Sequence, residues 1–226
     1  MPDAPAPATP EPRGPNNRRL AETLGRHHAR LTALAADPEA AALAASRGYS
    51  AARLADGLAL ADAALAAYAA RDAGTGARTA AAATLRQHEA ATHRLADDLR
   101  STLRALYDGQ TAHLETLGVA RPRPADDRDA FLTETRATLA SARRAPYAAA
   151  LADTGVPTAD LDALGAALDG LTAAAATHGS ARGQSATSTA SRDEAYDALQ
   201  AWMTRLRRLL RPAFRDAPAV AARLGL

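Results

Sequence analysis

The near absence of β-branched aliphatic side chains constrains this chain more than any other feature. Its 226 residues include three Val and no Ile, against 65 Ala and 29 Leu. Strands need β-branched and aromatic residues to cover a pleated surface, whereas Ala and Leu are strong helix formers. A sheet has almost nothing to be built from, so the fold class is predicted to be all-α. Ala removes little surface from water, while a buried Leu contributes roughly 1.5–3 kcal/mol. With one Trp, five Tyr and two Phe, the core must be Leu set in Ala, with helices packed closely. Trp202 is its expected largest anchor.

Spacing along the chain predicts a bundle of about six helices, some of them long, in a single domain over 18–226. Residues 1–17 hold Pro2, Pro5, Pro7, Pro10, Pro12 and Pro15. Without apolar side chains to dock, they predict a disordered tail. Leu20, Leu24, His27, Leu31 and Leu34 draw one stripe down a first helix over 18–36. Asp37-Pro38 ends it and starts a second helix, over 39–72, with a candidate break at Gly48. Gly74-Thr75-Gly76 reads as a turn. A third helix follows over 77–117, with Gly109 a candidate kink and Gly118 a stop. Val119–Asp127, with Pro122 and Pro124, reads as a linker and a candidate sub-boundary of the domain. Asp126 or Asp127 caps a fourth helix, and Pro146 either kinks it or begins a new one. Gly155-Val156-Pro157 precedes a fifth helix ending near Gly179. Residues 179–190 are a flexible loop or a weak helix start. Ser191–Glu194 fits a capping box for a last long helix that Pro212 kinks or ends. The Leu stripes suit coiled-coil-like packing.

Catalytic motifs are missing. The chain has no Cys, so thiolate chemistry and disulfides are excluded. His88-Glu89-Ala90-Ala91-Thr92-His93 resembles a zinc-protease motif, but its His residues are five apart rather than four. They sit about 140° apart around a helix and cannot share one ion. A di-iron bundle needs Glu-x-x-His pairs, and no Glu here precedes a His by three. His27 and His88 each occupy a position on an apolar stripe. The ordinary reading is a buried polar His bonded to a Tyr or a backbone carbonyl. The sharper one is a polar or metal site shared by the first and third helices. No catalytic residue, metal ligand or cofactor is assigned, and the protein is expected not to be an enzyme.

Charge is the most polarised feature. The net charge is only +2, less than a dedicated nucleic-acid binder carries. Yet residues 203–226 hold Arg205, Arg207, Arg208, Arg211, Arg215 and Arg223 against Asp216 alone. Arg207, Arg211 and Arg215 are four apart and share a helix face. Residues 153–172 hold Asp153, Asp160, Asp162 and Asp169 and no basic residue. The two segments are expected to pack with complementary charge, or to be simply solvated. A helical scaffold or protein-interaction module follows as the expected function, its partner another protein or a second copy. The alternative is a weak, sequence-blind binder of nucleic acid or another polyanion through Arg205, Arg207, Arg208, Arg211 and Arg215. No segment reads as a membrane span or a secretory signal, so a cytoplasmic location is expected.

Residues 193–226 combine Leu199, Trp202, a basic run over 205–211, Pro218 and a terminal Leu224-Gly225-Leu226. This ending resembles that of a group of uncharacterised bacterial helical proteins. The resemblance implies an all-helical unit and brings no activity or site residues with it.

Overall fold

Asp37 shows how little separates one helix from the next. Its Oδ1 accepts from the backbone N–H of Glu39 at 3.0 Å and of Ala40 at 3.1 Å, with Pro38 in the first turn. Asp127 repeats the device on Asp129 and Ala130. A carboxylate there satisfies amides that have no partner inside the helix. At the other helix ends, Gly118 (φ 68°) and Gly155 (φ 87°) take the left-handed conformation. The following amides, of Val119 and Val156, reach back to the carbonyls of Leu114 (2.9 Å) and Leu151 (3.0 Å). Such closures need a residue without Cβ.

The computed structural model describes residues 17–121 and 127–224. The proline-rich segment 1–16 and residues 122–126 of the expected linker lie outside them. The described residues form eight helices and no strand: α1 (Asn17–Ala36), α2 (Pro38–Ser46), α3 (Ala51–Leu106), α4 (Thr111–Thr116), α5 (Arg128–Ala142), α6 (Tyr147–Asp153), α7 (Thr158–Asp216) and α8 (Pro218–Leu224). None of them is long and apolar enough to cross a membrane.

The all-α class is as expected, but two of the elements are longer than the sequence predicted. Gly74-Thr75-Gly76 is not a turn, because α3 runs through it for 56 residues. A helical Gly costs only about 1 kcal/mol relative to Ala, and long Ala-rich flanks carry the helix across. Gly74 has a packing use instead. A Cβ there would lie 3.1 Å from Ser188 Oγ, so its small size lets α3 and α7 approach. Likewise α7 continues through 179–190 to Asp216, and Ser191–Glu194 is mid-helix rather than a cap. In and just before the polar stretch, hydroxyls turn back onto the helix's own carbonyls. Thr177 donates to the Ala173 carbonyl and Thr189 to that of Ser185. Pro212 lies inside α7, which ends at Asp216, one turn later. In the opposite direction, α3 stops at Leu106 and Gly109 (φ 72°) separates it from α4.

Contacts divide the chain into two compact units. The first takes the chain up to Thr75 together with Gln184 onward, and the second takes Gly76–Gly183. In the first, Leu20, Leu24, Leu31 and Leu34 of α1 pack with Leu54 and Ala61 of α3 and with Leu199, Met203 and Leu206 of α7. Trp202 is only half-buried there, edge-on to Tyr49 at 5.5 Å. Its ring lies over Gly57, where a Cβ would overlap it. The second unit gathers Leu99 and Leu103 of α3, Phe131, Leu132 and Leu139 of α5, and Leu161, Leu164, Leu168 and Leu171 of α7. Phe131, not Trp202, is the largest fully buried side chain among the described residues.

Candidate functional site

The last turns of α7 carry two stripes side by side. Met203, Leu206, Leu210 and Phe214 are buried and recur at helical spacing. Arg207, Arg211 and Arg215 each follow one position behind Leu206, Leu210 and Phe214, on the flank of that apolar face. In the first unit this edge meets Leu31 and Leu34 of α1 and Ala221 of α8. Between them lies a trough of about 810 Å³, floored by these apolar side chains and Pro212 and flanked by Arg30, Arg207, Arg211 and Arg215.

A smaller polar chamber of about 330 Å³ shares Arg30 and Arg207 with the trough. Thr23, Arg26, His27, Tyr196 and Gln200 complete its lining. Every charged side chain on either wall is therefore an arginine, and no carboxylate among the described residues lines either space.

His27 reports the electrostatics of this corner. It occupies its place on the α1 stripe and is only 3% exposed. Its Nε2 lies 3.0 Å from the Gln200 amide and its Nδ1 3.4 Å from the Arg207 guanidinium. Both neighbours present N–H donors, so the ring accepts from one of them, which requires it to be neutral. Burial, and then the charges of Arg207, Arg30 and Arg26, lower its pKa from the usual 6.5 to about 4.

The other residues singled out from the sequence fall elsewhere. Arg205 and Arg208 are exposed and line neither space. His88 is half-buried in the second unit, where it packs on Gly170. His27 and His88 thus have separate sets of neighbours. Among the described residues, no group of three or more His, Asp or Glu is placed to hold a metal ion. The Tyr partner expected for a stripe His belongs instead to His113, whose Nδ1 is 3.0 Å from the Tyr147 hydroxyl.

The arginine segment and the acidic one, expected to pair or to be simply solvated, fall in different units. Asp160, Asp162 and Asp169 and the arginines from Arg205 to Arg215 belong to the one helix α7, and two of these acidic residues pair within their own unit. Asp162 binds Arg143 at 2.6 Å and Asp169 binds Arg136 at 3.0 Å, both within the second unit. Sequence reasoning found Arg207, Arg211 and Arg215 but missed Arg26, Arg30 and the apolar floor. The four-residue spacing of Arg26 and Arg30 on α1 was the available signal.

Comparison with known protein families, with curated proteins and with solved structures finds no match to this chain.

Proposed function

We propose that this protein is a non-enzymatic helical binding module, and that its working surface is the arginine-flanked trough of the first unit. The carrying observation is the combination of an apolar floor with charged neighbours of one sign only. A partner that brings apolar surface and an anionic group together satisfies both. Buried arginine–anion contacts in such a setting are charge-assisted and directional, while the floor supplies the hydrophobic gain. The absence of acid–base machinery in the lining supports a binding role. The one titratable imidazole has a pKa of about 4, far from the neutral value at which a general base works best.

One observation favours a second reading, the weak polyanion binder. Arg205 and Arg208 stand exposed beside Arg207, Arg211 and Arg215, so a phosphate backbone could meet all five. That partner leaves the apolar floor unused, which is why it ranks second.

Titration with anilinonaphthalene sulfonate, a dye that is both apolar and anionic, tests the first reading, with labelled duplex DNA as the rival ligand. Saturable binding of one dye per folded chain is expected, weakened severalfold by Arg211→Gln with Arg215→Gln. Duplex binding should be detectable only at low salt, because counterion release drives it. Dye affinity equal in native and substituted protein overturns the proposal. Salt-sensitive duplex binding without dye binding favours the rival.

A further inference from the structure

The polar chamber gathers positive charge from two helices and gives it no counter-charge. Thr23, Arg26, His27 and Arg30 come from α1, and Tyr196, Gln200 and Arg207 from α7. Arg26 places one N–H on the Thr23 hydroxyl at 3.2 Å, and Arg207 lies 3.4 Å from His27. Among the described residues, neither guanidinium forms an ion pair with a carboxylate, and the Tyr196 hydroxyl has no hydrogen-bond partner. A guanidinium carries five donors, so both arginines keep donors to spare. Arg26 and Arg207 are exposed, and Tyr196 and Gln200 half-buried, so the groups that a ligand would meet are within reach of solvent.

We infer that the polar chamber is a site for a dianionic phosphate group, held between the guanidinium groups of Arg26 and Arg207 with the Tyr196 hydroxyl and the Gln200 amide as neutral partners. The site goes beyond the trough and uses none of its apolar floor. Arg30 has an interaction of its own, so it adds its charge to the chamber and is not a ligand contact. A phosphate monoester carries roughly two negative charges near neutral pH and several strong acceptor oxygens. Two guanidiniums on different helices can share such a group through charge-assisted hydrogen bonds. A carboxylate or a phosphodiester brings a single charge and matches only one of them. His27 joins the lining as a neutral ring, and its contact with Arg207 holds that guanidinium at the chamber. At about 330 Å³ the chamber lies at the low end of small-molecule sites. A terminal phosphate can enter a recess of that size between two helices, whereas the backbone of a duplex is fixed in a wide rod.

The test is calorimetric titration of the full chain with inorganic phosphate, phenyl phosphate, dimethyl phosphate and acetate, at an ionic strength held constant with sodium chloride. One phosphate per chain is expected, with dimethyl phosphate and acetate about tenfold weaker. Arg26→Gln and Arg207→Gln should each weaken phosphate about tenfold, the effect of losing a hydrogen bond between charged groups. Arg208→Gln, exposed on the same helix but outside the chamber, should leave the affinity unchanged. Added phosphate should move the imidazole NMR signals of His27 and leave those of His88 and His113, in the second unit, where they are. Melting curves confirm that the variants fold, and all three side chains are exposed.

Binding of phosphate but not of phenyl phosphate supports a site for the free ion, and binding of both supports one that also takes phosphomonoesters. The inference is overturned if phosphate neither binds by calorimetry nor moves the His27 signals, or if phosphate and acetate bind equally. It is overturned as well if Arg208→Gln weakens phosphate as much as Arg207→Gln, which would make the arginines a diffuse basic surface. None of these results bears on dye binding through Arg211 and Arg215.

Discussion

The two units use arginine in opposite ways. In the second, the arginines of α5 and its C-terminus are consumed by carboxylates on neighbouring helices. Arg128 meets Glu89 at 2.7 Å, Arg136 meets Asp169 at 3.0 Å, and Arg143 meets Asp162 at 2.6 Å. Even its buried Thr92 hydroxyl, 2.7 Å from the His88 carbonyl, also reaches that of Ala167 at 3.2 Å. The first unit has ion pairs too, such as Arg223 with Asp37 and Glu39. None of those acidic residues lines the trough, where arginine faces apolar surface. The same residue type thus joins helices where a carboxylate is opposite, and lines the trough beside apolar side chains in the first unit. The difference lies in the partner set that packing brings up, not in the arginines.

The largest effect that can test this contrast lies in the second unit's core. Phe131→Ala removes the biggest fully buried side chain and should cost about 3–5 kcal/mol, measured by chemical denaturation. Dye binding by the first unit should persist in the residual folded protein. An unchanged unfolding midpoint would break the picture of a second unit organised around Phe131.

Next comes acidification of the first unit. The folded pKa of His27 is about 4, against 6.5 when unfolded. Between those values the unfolded chain binds a proton that the folded one refuses, so stability must rise with pH across that window. The contribution is complete above pH 6.5, declines as pH falls, and is gone below about 4. Its full size is about 3 kcal/mol, from 1.36 kcal/mol per unit of pKa. Stability of native protein minus that of His27→Gln, followed from pH 7.5 to 4, isolates it from the carboxylates, which titrate in both. A flat difference would mean that His27 is solvated and that the chamber is less positive than its lining implies.

The smallest effect sharpens the contrast most. Arg136→Gln breaks an exposed pair and should cost about 0–1 kcal/mol. Arg211→Gln should not lower stability at all, yet should weaken the dye. Paired thermal melts and dye titrations of the two variants separate a joining arginine from a wall arginine. The reverse pattern would erase the distinction between the units.

Much of the fold was legible because its signals are local. The start of α1 within a residue, the caps at Asp37 and Asp127 and the stops at Gly118 and Gly155 all act on amides or carbonyls a few positions away. Gly74-Thr75-Gly76 misled for the same reason. Read locally it is a turn, but long Ala-rich flanks carry the helix through it, and the tight approach to Ser188 that a Cβ at Gly74 would make, 3.1 Å, comes from far along the chain. Ser191–Glu194 misled likewise, since a capping box forms only where a helix begins. Here the hydroxyl-rich stretch before it is already helical. For the site, the stripe of Arg207, Arg211 and Arg215 could be read from spacing. Its meaning could not, because the floor comes from α1 and α8 as well as from α7.

By itself the sequence determined that the described residues build helices and no strand. Helix propensity, capping and the Leu stripes are properties of residues within one or two turns of each other. The tertiary structure alone decided which faces meet: that Gly74 packs against Ser188, and that Arg207, Arg211 and Arg215 lie beside apolar side chains of α1 and α8. Those outcomes depend on which side chains are packed opposite, and a stripe specifies that a face is buried without specifying against what. Burial energy is non-directional, so the partner of each face is chosen by fit across long loops of chain.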